Sequence, residues 1–255
     1  MPRPLEGEVL DEFFGNRVIK AQNPDGQYVA IKFKPKSVFQ QSEADMMDYA
    51  NKCGILTPRV WECRPYGIDE VAMITDYIPG KSLGEVWGSL NDTERVSIKE
   101  QLKDQIRRFR ECTQGYVGRV NNKPARNPYQ GIRREYIGPF STEKEFDDWC
   151  LNRIPSFKRW YWEWRLTKLR TDNPRFVLTH GDLFPRNIMV ENAKITGILD
   201  WENSGFFPEY VEATVATGIY DYSDEEWWKP VLLEALGPCD SERLSFQRQI
   251  YDRGY

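Results

Sequence analysis

The stretch that decides the reading of this chain is Val177 to Glu202, VLTHGDLFPRNIMVENAKITGILDWE. It holds the only histidine, in the order His180-Gly181-Asp182, with Asn187 five residues after the aspartate and Asp200 closing a later apolar run. Phe176-Val177-Leu178, Asn187-Ile188-Met189-Val190 and Ile195-Thr196-Gly197-Ile198-Leu199 are short apolar runs between loops and read as small strands. Asp182 then lies in a loop after one strand, and another strand delivers Asp200 beside Asn187. These residue types suit phosphoryl transfer, which asks a protein for positioning and charge neutralisation more than for covalent chemistry. Asp182 is the group to orient an attacking hydroxyl and accept its proton. Asn187 and Asp200 offer the oxygen ligands that Mg²⁺ takes. His180 has no second histidine or nearby cysteine to complete a zinc site, so it reads as a hydrogen-bonding brace for the Asp182 loop.

Upstream residues fit the same chemistry. Arg17-Val18-Ile19-Lys20 and Tyr28 to Phe33 flank the turn Asn23-Pro24-Asp25-Gly26, the pattern of a hairpin. Its second strand carries Val29-Ala30-Ile31-Lys32, which matches the V-A-I-K strand whose lysine contacts nucleotide phosphates. Gln41 to Lys52 has helical apolar spacing ended near Gly54, and it presents Glu43 as a partner for Lys32. Val71 to Ile74 is a further strand running into Thr75-Asp76-Tyr77-Ile78-Pro79-Gly80, where proline and glycine stop the pattern and a lobe boundary is expected.

Beyond this point helices dominate. Asn91-Asp92-Thr93-Glu94 has the form of a helix start, followed by a face of Val96, Ile98, Leu102, Ile106 and Phe109. Residues 114–140 read as one long loop. Thr142 to Glu145 starts a helical, aromatic-rich segment to about Arg170, and the tail after Pro208 is helical apart from Gly237-Pro238. Strands first and helices afterwards make an α+β chain with segregated halves.

Composition narrows the class. The 255 residues are 40% apolar and 29% charged with net charge −4, which argues against a basic nucleic-acid surface. The cysteine count is odd, 5, with no C-x-x-C, so a reducing cytoplasm fits better than a disulfide or zinc framework. The N-terminus lacks the apolar core of a signal peptide, and no run is long enough to span a bilayer, so no membrane partner is expected. The tryptophan-rich Trp160 to Trp164 and Trp227-Trp228 are expected as core or interlobe packing.

Two other motifs fail. Gly80-Lys81-Ser82-Leu83-Gly84 spells a serine-hydrolase elbow, but Pro79 precedes it and the strand–elbow–helix context is missing. The same stretch ends in Gly-Lys-Ser, yet the first glycine of a phosphate-binding loop would fall at Thr75.

On Tyr28 to Lys32, TDYIPG at 75–80 and above all Leu178 to Glu202, the chain resembles the aminoglycoside phosphotransferase and choline kinase-like family, relatives of the protein kinase fold. The resemblance spans most of the chain. It implies a two-lobed fold, with a small β-rich N-lobe at 1–79 carrying the nucleotide-binding sheet and hinge. A larger, mainly helical C-lobe at 80–255 would carry the catalytic loop, metal site and acceptor site. It makes Asp182 the catalytic base, Asn187 and Asp200 the Mg²⁺ ligands, Lys32 the phosphate lysine, and Met73 to Tyr77 the adenine-contacting hinge. Thr75 and Tyr77 would act mainly through their backbone. Gly138-Pro139-Phe140, Asp200-Trp201-Glu202 and Pro208-Glu209 look like the family's fungal branch. Three departures stand out: Phe14-Gly15-Asn16 is the nearest substitute for a glycine-rich loop, Phe184 replaces the lysine that protein kinases place after the catalytic aspartate, and no A-P-E segment follows Asp200. The last two favour a small-molecule kinase over a protein kinase.

The expected activity is transfer of the ATP γ-phosphoryl group to a hydroxyl of a small metabolite. Glu202 and Glu209, with Asp221, Asp224, Glu225 and Glu226, are acidic residues that would meet a cationic acceptor, although the last three read better as a solvated helix start. A Trp227-Trp228 cation box is conceivable, with core packing preferred. The alternative is a noncatalytic kinase-like protein that binds a nucleotide or metabolite.

Overall fold

The computed structural model describes residues 6–13, 15–129, 135–171, 173–219 and 226–251. Strands β1 (Glu8–Phe13), β2 (Asn16–Gln22) and β3 (Tyr28–Pro35) are followed by helix α1 (Gln41–Lys52), then β4 (Val60–Tyr66) and β5 (Glu70–Asp76). They form one antiparallel sheet in the order β1-β2-β3-β5-β4. The expected hairpin is β2–β3, with Lys20 opposite Ala30 and Gln22 opposite Tyr28. Its turn is closed by the Asn23 side chain, which accepts from the amides of Asp25 and Gln27. The glycine-loop candidate is the tight β1–β2 connection: Gly15 has φ 75°, while Phe14 lies outside the described residues.

Alternation along β3 sorts its two faces. Val29, Ile31 and Phe33 pack with Ile19 and Ala72 in a small apolar cluster on one side. Ala30, Lys32 and Lys34 therefore project from the other side, because successive strand residues point to opposite faces.

The chain then continues through β6 (Lys81–Ser82), α2 (Leu83–Val86), α3 (Asp92–Glu111), β7 (Thr113–Gln114), β8 (Ala125–Arg126), β9 (Tyr136–Ile137), α4 (Glu143–Leu151) and α5 (Ser156–Leu169). After these come β10 (Phe176–Thr179), β11 (Ile188–Glu191), β12 (Lys194–Ile198), β13 (Gly205–Pro208), α6 (Val211–Ile219), α7 (Trp228–Leu236) and α8 (Ser241–Tyr251). The fold is α+β, with its sheet in the N-terminal part and its helices mostly afterwards. The expected capping box opens α3, where Asn91 Oδ1 accepts from the Glu94 amide and Glu94 accepts from the Asn91 amide; such caps stabilise by about 1 kcal/mol. Ile98, Leu102, Ile106 and Phe109 of that helix are buried in the main core.

Three expectations change. The segment from Thr142 to Arg170 is two helices, broken before Ser156, where Pro155 leaves the chain extended. Of its aromatic cluster only Trp162 is buried, against Phe246 of α8, while Trp160 is 72% exposed and Trp164 49%. A helix turns about 100° per residue, so one packed face cannot take four neighbouring aromatics. The supposed loop at 114–140 carries the short strands β7, β8 and β9; residues 130–134 lie outside the described part.

Candidate active site

The antiparallel pair β11–β12 sets Ile188 opposite Ile198, and the Leu199 amide donates to the Asn187 carbonyl at 2.7 Å. This bond brings the start of one strand and the end of the other together, so Asn187 and Asp200 are neighbours across the pair. Asp182 is reached from β10 through Gly181, whose φ of 77° and close approach to the Asn203 carbonyl leave no room for a side chain.

His180 holds the two halves together. Its Nε2 donates to the Leu199 carbonyl at 2.9 Å, and its Nδ1 accepts from the Asp182 amide at 3.2 Å. Both bonds call for the neutral Nε2–H tautomer. Burial lowers its pKa to about 4, which keeps it neutral. The ring also meets Trp201 edge-on at 4.8 Å. A second brace comes from α6: the buried Glu212 carboxylate accepts from the amides of His180 at 2.5 Å and Gly181 at 3.1 Å. Burial raises its pKa to about 7 despite those two donors.

Asp182 is buried but well provided with donors. Asn187 Nδ2 donates to its carbonyl and to Oδ2, and Arg186 approaches both carboxylate oxygens at 3.1 and 3.2 Å. Burial and the nearby Asp200 charge raise its pKa to about 6, against the pull of Arg186 and Asn187. Arg186 also lies over the Phe184 ring, 3.9 Å from its centroid. Where the sequence lacks a lysine at Phe184, an arginine two residues on supplies a cation to the same carboxylate.

Lys32 reaches across to Asp200, Nζ to Oδ1 2.8 Å, and both side chains are half-buried. Burial would lower the Lys32 pKa, but Asp200, Glu202 and Glu43 outweigh it and raise it. Burial would raise that of Asp200, and the Lys32 charge overcomes it and holds the carboxyl below its usual range. Asp200 itself sits in the left-handed region, φ 62° and ψ 66°. The expected Lys32–Glu43 pair is corrected here: Glu43 is bonded to Lys34, 2.6 Å. Both lysines share the strand face, and the one two residues further along meets the helix.

The residues expected to form the hinge are placed unevenly. Met73 pairs in register with Lys32 inside β5 and is buried in the main core. Thr75, also inside β5, bonds the Ala30 and Asp76 carbonyls through Oγ1. Pairing with β3 ends at Val29–Asp76, so Tyr77 is the first residue beyond the sheet; its ring shares the Lys20 ammonium with Tyr28. Ser82 of the hydrolase-like motif is a helix cap, accepting from the Glu85 amide and donating to the Glu85 carboxylate.

Of the acidic residues expected to face an acceptor, Glu202 and Glu209 are already engaged, while Glu226 is exposed. Glu202 binds Lys34 at 2.8 Å and Arg126 at 2.5 Å, and Glu209 binds Arg110 at 3.1 Å. Asp221, Asp224 and Glu225 lie outside the described residues. Trp227 stacks on Trp87 at 4.4 Å, and Trp228 is buried with its indole N–H on the Leu183 carbonyl. The pair therefore packs rather than forming a box. Lys34, Arg119, Arg126, Arg186 and Glu212 were not singled out from the sequence. Only Lys34 carried a local signal, its period-two spacing from Lys32.

A profile of the phosphotransferase enzyme family matches residues 7–237. The chain is 23% identical over 239 residues to the aminoglycoside 3'-phosphotransferase of Streptomyces fradiae, covering 87% of this chain and 82% of that one. It is 24% identical over 238 residues to the enzyme of the same name from Streptomyces ribosidificus, covering 87% and 84%. Among solved structures it resembles aminoglycoside phosphotransferase APH(4)-Ia in its ternary complex with ADP and hygromycin B, TM-score 0.62, 15% identity, covering 96% and 83%. It also resembles APH(3'')-Id from Streptomyces rimosus, TM-score 0.57, 18% identity, covering 97% and 92%.

Proposed function

The chain belongs to the phosphotransferase enzyme family, and from that premise we propose an ATP-dependent small-molecule kinase acting at the site around Asp182. The carrying observation is the convergence of Asp182, Asn187 and Asp200, from one stretch of the C-terminal part, with Lys32 of β3, tied by the His180 and Leu199 bonds.

Asp182 is the base. A carboxyl with pKa about 6 is mostly ionised at neutral pH yet close enough to it to take a proton from the acceptor hydroxyl as the oxygen attacks. Arg186 and Asn187 fix its orientation. Lys32, Lys34, Arg119 and Arg126 face Asp200, Glu43 and Glu202, four cations against three carboxylates, so the cluster retains positive charge for nucleotide phosphates. The oxygens of Asn187 and Asp200 suit Mg²⁺, and the Lys32-bound, half-exposed Asp200 carboxylate is a ligand that lysine can release. Bound there, Mg²⁺ would neutralise phosphate charge.

The finer assignments are part of the same reading. The lobes divide at 79/80, with Met73, Thr75 and Tyr77 bordering the adenine site. The acceptor is a small hydroxyl compound of cationic character, supported by the net charge of −4 and by the aminoglycosides named for the relatives. A cytoplasmic setting suits ATP and the free cysteines; among the described residues, no helix is long and apolar enough to cross a membrane. The Asp200-Trp201-Glu202 and Pro208-Glu209 patterns support a position near the fungal branch.

The test is ADP release with Mg-ATP across aminoglycosides, choline-like amines and sugars. At least one acceptor should give turnover that Asp182→Ala abolishes. No acceptor-dependent ADP, together with no thermal shift at millimolar Mg-ATP, would leave the noncatalytic alternative.

A further inference from the structure

Two lysines leave β3 toward the cleft, and they have different partners. Lys32 binds Asp200. Lys34 is 1% exposed and binds two carboxylates, Glu43 Oε2 of α1 at 2.6 Å and Glu202 Oε2 at 2.8 Å. Glu202 follows Asp200 by two residues, so Lys34 links the helix beside the N-terminal sheet to the loop that carries a metal ligand.

A second link runs alongside. Arg119 is fully buried, donates Nη1 to Ser42 Oγ at 2.9 Å and Nε to the Ser204 carbonyl at 3.0 Å, and its remaining nitrogen binds the Glu202 carbonyl. Ser42 adjoins Glu43 in the first turn of α1, and Arg126 holds the other oxygen of Glu202 at 2.5 Å. The start of α1 is thus fastened to residues 202–204 by two independent cations. Buried charges in such a network are costly to leave unpaired, so removing Lys34 strands Glu43 and leaves Glu202 to Arg126 alone.

We propose that Lys34, rather than Lys32, is the positioning residue that fixes α1 through Glu43 and couples it to Glu202, which leaves Lys32 free to exchange Asp200 for a nucleotide phosphate. The two tasks, helix anchoring and phosphate binding, are divided between two lysines on one strand face. This rests on the phosphotransfer reading of the cleft, but its first test needs no turnover.

Thermal unfolding without nucleotide should be measured for Lys34→Met, Lys32→Met, Glu43→Gln and the doubles Lys34→Met/Glu43→Gln and Lys32→Met/Glu43→Gln. Lys34→Met should lower the midpoint by roughly 5–15 °C. Its combination with Glu43→Gln should be clearly non-additive, whereas Lys32→Met and Glu43→Gln should add. Coupling of Glu43 to Lys32 and not to Lys34 overturns the proposal. Should Lys34→Met not fold, a crystal structure of the wild-type chain with Mg²⁺ and AMP-PNP decides. Lys34 should still hold Glu43 and Glu202, and Lys32 should contact phosphate; a Lys32–Glu43 bond there overturns it. In turnover, Lys34→Arg should lower kcat about tenfold with the Mg-ATP KM within about threefold of wild type, while Lys32→Arg raises that KM. The reverse split overturns it. Absence of turnover in every form would sink the phosphotransferase reading and leave the unfolding cycle to judge Lys34.

Discussion

Asn187 donates its side-chain amide to both the main-chain carbonyl and the Oδ2 oxygen of Asp182, at 2.9 and 3.0 Å. One residue thereby fixes the proposed base while keeping its own amide oxygen for another partner. The division separates what each side chain contributes. Asp182→Asn, which keeps the shape and loses the proton acceptor, should lower kcat by about 10²- to 10⁴-fold. Mg-ATP should still raise the unfolding temperature of this variant, as followed by calorimetry.

The pH profile should locate the base. With Asp182 as the proposed base and its pKa raised to about 6, kcat/KM of the free enzyme should rise with pH and level off above that value. Arg186 lowers this pKa, so Arg186→Gln should move the limb to higher pH. A limb that stays in place would separate Arg186 from the ionisation of Asp182.

Asp200 is predicted to govern nucleotide binding rather than proton transfer. Asp200→Asn removes the charge that Lys32 neutralises and a candidate metal ligand together. Mg²⁺-dependent nucleotide stabilisation should disappear, as read by titrating Mg²⁺ at fixed ATP in a thermal-shift assay.

Two buried groups bracketing the Asp182 loop should give stability opposite pH dependences. His180 is neutral when folded down to about pH 4, whereas unfolded histidine takes up its proton near 6.5. Its contribution is present above 6.5 and falls as pH drops toward 4, by about 3 kcal/mol in all. The advantage of wild type over His180→Gln should shrink on acidification by that amount. Glu212, with its pKa raised to about 7, works the other way: the unfolded carboxyl ionises near 4.5 while the folded one retains its proton. The advantage over Glu212→Gln should shrink as pH rises from 4.5 through 7. Urea unfolding across this range checks both signs.

The site was legible where its geometry is local. His180, Asp182, Asn187 and Asp200 lie within one stretch, and the strands that deliver them show as apolar runs. The partner of Glu43 was misread because both lysines share a face of β3, and the choice between them depends on where α1 docks. Arg119 and Arg126 were hidden for a related reason: their partners lie 76 to 85 positions away, in helix α1 on one side and at residues 202–204 on the other. The edge strands β1 and β4 are exposed or half-exposed wherever their side chains are described, so no buried alternation announces them.

Asp200 sits at φ 62°, a left-handed conformation that, after glycine, asparagine and aspartate enter most readily. The side chain proposed to hold the metal is thus one of the few that the local backbone accepts. Most replacements here would add backbone strain to the loss of the Lys32 ion pair, so the fold and the candidate site select for the same residue.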